Sequence, residues 1–106
     1  MAFEVERQQF GVIRVSGEIT IYSAAPFSTA LFAALHAGTE TCLVNVSDVS
    51  EVDTTGVQIL LMAKRACEAR KVRFALLDPS AVMQESLDLL RLADAMIDRG
   101  ENEVAR

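Results

Sequence analysis

The sequence predicts a single α/β domain: a small mixed sheet of four to five strands that opens with an antiparallel hairpin and carries about three helices. Three observations lead there. Two short runs of alternating apolar and polar residues, 3–7 and 12–16, flank a turn at Gly11, the pattern of a hairpin. After them, apolar strands alternate with helix-periodic segments, which demands parallel pairing through right-handed crossovers. The chain has 106 residues, 51% of them hydrophobic and 24% charged, which suits one core without disulfide staples.

Taken in order, the first strand is Phe-Glu-Val-Glu-Arg from Phe3, and the second starts at Val12 and closes with Gly17-Glu18-Ile19-Thr20. Residues 22–37 form the first helix. Phe27, Leu31 and Leu35 share one face, Ser23 is placed to cap the start, Pro26 is tolerated in the first turn, and Gly38 is a fitting stop. Residues 42–46, Cys-Leu-Val-Asn-Val, read as a central strand covered on both faces by helices. A bend at Ser47-Asp48 leads to the turn Asp53-Thr54-Thr55-Gly56. A helix then runs from about Thr55 to Lys71, with Ile59, Leu60, Ala63 and Cys67 inward and its basic residues outward. Residues 72–77 are the fourth strand. Ser80 caps a third helix over 81–92, whose candidate core residues are Val82, Leu87, Leu90 and Leu92. Residues 96–98 read as a last edge strand, and 100–106 as a fraying polar tail after a domain spanning 1–99.

Composition excludes several function classes. The formal charge of −5 repels phosphate backbones and anionic lipid surfaces, so nucleic-acid binding is not expected. The strongest apolar run is too short to span a bilayer, and the start is charged and alternating. A cytoplasmic protein without membrane insertion is expected. Cys42 and Cys67, the two cysteines, read as buried free thiols. His36 is the single histidine, so neither a metal site nor a Ser-His-acid triad has its ligands, and no glycine-rich phosphate loop is present. No cofactor, metal or catalytic residue is expected.

In an α/β domain, a strand-to-helix turn is where ligands and partners meet the protein. Here that turn carries a carboxylate and two hydroxyls. An aspartic protease loop lacks the extra residue of Asp-Thr-Thr-Gly and belongs to an all-β enzyme. A phosphoaspartate receiver needs an acidic pair after its first strand and a late lysine. Glu18 stands alone, and Leu76-Leu77-Asp78 ends without a lysine.

Three stretches in order carry a resemblance. Gly17-Glu18-Ile19 ends the second strand, Leu43-Val-Asn-Val-Ser-Asp48 forms the central strand and bend, and Val52-Asp53-Thr54-Thr55-Gly56-Val57 forms the turn. Together they resemble the STAS domain of anti-sigma-factor antagonists over nearly the whole chain. The resemblance implies a non-catalytic regulator, phosphorylated at Thr55, that binds a serine/threonine kinase or anti-sigma factor. It places partner contacts at Asp53, Thr54, Gly56, Val57, Gln58, Glu18 and Thr20. Thr20 departs from the acidic residue usual after Gly-Glu-Leu, and Thr55 stands where the best-studied branch has serine. The alternative it leaves is a constitutive adaptor or subunit of a chemosensory or lipid- or anion-transport complex.

Overall fold

The computed structural model describes residues 3–36 and 41–98. The expected stop at Gly38 and the tail 100–106 lie outside them. Four strands are hydrogen-bonded in chain order, β1 (Phe3–Arg7), β2 (Val12–Ile19), β3 (Thr41–Val52) and β4 (Arg73–Leu77). β1 and β2 form the expected antiparallel hairpin, with Val5 opposite Val15. Phe10 and Gly11 both take positive φ in the connecting 3-10 turn. β2, β3 and β4 are parallel, with Arg14 beside Asn45 and Asn45 beside Leu77.

β3 does not bend away at Ser47 as expected. It runs on to Val52 and pairs with β2 throughout, through two register shifts. Each shift places an extra β3 residue against β2, which is the device of a β-bulge. Asn45 Oδ1 accepts the Ser47 backbone N–H at 2.9 Å and the Ser47 hydroxyl at 2.6 Å, holding the first bulge. The extra residue turns Val49 back into the core, where it is 2% exposed.

The helices are α1 (Ala24–His36), α2 (Thr54–Ala69), α3 (Ala81–Leu89) and the short α4 (Ala93–Met96). Their buried residues form one cluster with Ile13, Val15, Cys42, Val44, Val46 and Leu76, so they pack on one sheet face. Phe3 meets Phe27 edge-on at 5.5 Å within it. The expected two-sided cover of β3 is therefore corrected. The opposite face carries Glu4, Glu6, Arg14, Asn45 and Arg73, with Leu43 half-buried among them. Arg14 pairs there with Asp48, and Arg73 with Asp98.

Three further expectations change. Ser23 lies inside a 3-10 turn, Ile21–Ser23, that precedes α1 and is capped by Thr20. The single helix expected over 81–92 breaks after Leu89. Arg91 takes φ 59°, its N–H donates to Asp88 O at 3.0 Å, and Leu92 N–H donates to Leu87 O at 2.8 Å. This is a Schellman stop without glycine. α2 ends the same way, with Lys71 at φ 62° and Val72 N–H on Cys67 O at 2.8 Å. Met83 and Leu87 set the inward face of α3, which leaves Val82 38% exposed; Leu90, at the helix stop, is 41% exposed, and Leu92 is half-buried. The last edge strand shrinks to one parallel bridge, Ile97 with Leu76, because Met96 is held in α4.

Candidate functional site

The site forms where β2, β3 and α2 converge. Asp53 follows β3 in extended conformation and caps α2. One carboxylate oxygen accepts the Gly56 N–H at 3.1 Å; the other accepts the Ile21 N–H at 2.9 Å. One side chain thus ties the first turn of α2 to the 3-10 turn after β2. A Cβ on Gly56 would stand 2.1 Å from Ile19 O, so only glycine lets the helix start this close to the end of β2.

Thr20 is 8% exposed, and its hydroxyl accepts the Tyr22 N–H at 3.3 Å. Thr20 N–H donates to Ser23 Oγ at 3.1 Å, and the Ser23 hydroxyl donates to Glu18 O at 2.9 Å. This closed set of bonds pushes the next two side chains outward. Ile21 is 62% exposed and Tyr22 is 96% exposed.

On α2, Thr54 and Gln58 are exposed, and Met62 continues their four-residue spacing at 52% exposure. Thr55 is half-buried. Among the described residues, neither threonine hydroxyl has a hydrogen-bond partner. Asp53, Thr54, Ser86, Leu89 and Leu90 line a cleft of about 200 Å³. Among these same residues, no cluster of three or more His, Cys, Asp or Glu could hold a metal ion, and no helix is long and apolar enough to cross a membrane.

The sequence-expected partner residues divide into two sets. Asp53, Thr54 and Gln58 reach the surface of the turn, and Glu18 is half-buried at the end of β2. Val57 is 1% exposed, Gly56 is buried and Thr20 is buried. These three hold the site together from within: helix periodicity turns Val57 inward, and capping takes Thr20 in. Sequence reasoning missed Ile21, Tyr22, Met62, Leu89 and Leu90. For Leu89 a signal was present, since it stands two residues, about 200° around a helix, past the inward Leu87.

Known proteins repeat this architecture. A family model described as Mlab, STAS domain, matches residues 3–98. The anti-sigma F factor antagonist of Lysinibacillus sphaericus is 30% identical over 97% of this chain and 91% of its own length. The solved structure of the anti-sigma factor antagonist SpoIIAA in its unphosphorylated form superposes with a TM-score of 0.70 at 26% identity, over 96% of this chain and 91% of that one. The Bacillus cell fate determinant SpoIIAA in its phosphorylated form gives 0.65 at 26% identity, over 96% and 95% of the two chains. With its mixed four-strand sheet, its one-sided helices and the Asp53–Gly56 turn at the head of α2, this chain belongs to the STAS domain family.

Proposed function

We propose that the protein is an anti-sigma-factor-antagonist-like switch, which binds an anti-sigma factor or a related serine/threonine kinase and is released by phosphorylation at the Asp53–Gly56 turn. The observation that carries this reading is the pair Thr54 and Thr55 in the first turn of α2, next to the capping Asp53, with Thr54 exposed and Thr55 half-buried. Kinase chemistry needs an acceptor oxygen that can come into line with a γ-phosphate. Thr55, the acceptor expected from the sequence, is half-buried. Thr55 stays the acceptor that the family resemblance implies, with the more exposed Thr54 beside it as the second candidate. That a related SpoIIAA exists in a phosphorylated form supports the reading.

A phosphate here carries about −1.5 to −2 charges. The unpaired amides at a helix start favour that charge by about 0.3–1 kcal/mol, which offsets repulsion from Asp53. The fold tolerates the group; the complex does not. Ile21, Tyr22, Met62 and Leu89 supply the exposed apolar contacts around Thr54. A phosphate desolvated among them, or set against a partner carboxylate, costs several kcal/mol. Each 1.4 kcal/mol is about tenfold in affinity. Catalysis in this scheme belongs to the partner.

Titration calorimetry with the cognate anti-sigma factor tests the switch. Thr54→Glu weakens binding by about tenfold or more while the dichroism spectrum stays folded. Unchanged affinity for Thr54→Glu and for Thr55→Glu would exclude it.

A further inference from the structure

The apolar surface beside the turn continues along α3. Ala81, Gln84, Glu85, Asp88 and Leu89 line an open groove of about 620 Å³. Leu89 is 78% exposed and also lines the cleft that holds Asp53 and Thr54, so groove and cleft meet at this side chain. Val82 and Leu90, on the same helix and just past its end, add further exposed apolar area. Two exposed carboxylates edge the groove. Glu85 and Asp88 are three residues apart and so share a helix face. Gln84 Nε2 donates to Asp88 Oδ1 at 3.0 Å and fixes one of them. The nearby cation, Arg91, sits with Asp88, Ala93 and Asp94 in a separate small cleft, where carboxylates outnumber it.

We propose that this groove docks an amphipathic helix of a partner protein, with an apolar anchor against Leu89 and Ala81 and lysine or arginine side chains against Glu85 and Asp88. Charge complementarity selects this occupant. A second copy of the chain would bring the same acidic face, and like charges across an interface disfavour it. The net charge of −5 also steers a basic segment inward. Occupancy of the groove does not require phosphorylation at the turn. It rests on the switch reading only in that one partner covers Thr54 and Leu89 together.

The test uses the full ¹⁵N-labelled chain and a synthetic Leu/Lys amphipathic peptide of about 18 residues, with a Leu/Glu peptide as control. The expected result is amide shifts centred on Ala81–Leu89 and the Thr54 turn for the basic peptide, and none for the acidic one. Glu85→Lys with Asp88→Lys, and separately Leu89→Ser, lower affinity by about tenfold or more. Glu4→Lys with Glu6→Lys, the same charge change on the open sheet face, leaves affinity unchanged. The peptide has no kinase activity, so its binding is read separately from phosphorylation at the turn. Shifts centred elsewhere, an equal loss from both charge reversals, or self-association through α3 would each overturn the proposal.

Discussion

The carboxylate of Asp53 accepts the backbone N–H of Ile21, thirty-two residues away, at 2.9 Å, while its other oxygen caps α2 at Gly56. One side chain sets both the start of the helix and the position of the exposed Ile21–Tyr22 pair. Loss of an N-cap costs about 0.5–2 kcal/mol, and loss of the exposed bond to Ile21, whose N–H water can take over, adds about 0.5–1.5 kcal/mol. Asp53→Ala is expected to destabilise the domain by about 2–3 kcal/mol in urea unfolding. Asp53→Asn, which keeps one acceptor, costs less. Faster amide exchange at Ile21 and Tyr22 accompanies both variants.

Gly56 offers a sharper steric test. An added Cβ would stand 2.1 Å from a backbone oxygen at Ile19, and neither strand nor helix start can retreat without breaking pairs. Gly56→Ala should cost about 3 kcal/mol or more. A midpoint unchanged in urea would mean that α2 starts farther from β2 than described.

The two glycine-free helix stops predict the opposite sign. Lys71 and Arg91 hold φ values of 62° and 59°. Relief of the left-handed conformation is worth roughly 1–2 kcal/mol, against an entropy cost of roughly 0.5–1 kcal/mol for glycine. Lys71→Gly and Arg91→Gly should each stabilise the fold by about 0.5–1 kcal/mol, read as a higher thermal midpoint.

These stops also show what was legible in the sequence. The hairpin, the parallel crossovers, Phe27, Leu31, Leu35 and the inward face of α2 follow from periodicity, and the structure keeps them. The ends of α2 and α3 were misjudged because the usual glycine signal is replaced by Lys71 and Arg91. The length of β3 was misjudged because a bulge held by Asn45 looks, in sequence, like a bend. At the site, the Asp53–Gly56 turn and its place at a strand-to-helix junction were legible. The link from Asp53 to Ile21 was not, since it is made by tertiary register alone.

Cys42 and Cys67 supply a pH test. Burial first, then the neighbouring Cys42, pushes the Cys67 thiol up to about 11. An unfolded chain ionises this thiol near 9.0, so the contribution is fully present below that pH and is lost as pH rises toward 11. Stability should fall across this window, and Cys67→Ala should flatten the fall. At pH 8, a thiol reagent should label Cys67 far more slowly in the native protein than in urea.

The central claim is tested most directly by incubating the chain with its cognate kinase and Mg-ATP, then reading intact mass and mapping the modified peptide. One added phosphate is expected on the Thr54–Thr55 pair, lost in the Thr54→Ala, Thr55→Ala double variant. No added phosphate, or one that survives the Thr54→Ala, Thr55→Ala double variant, would contradict it.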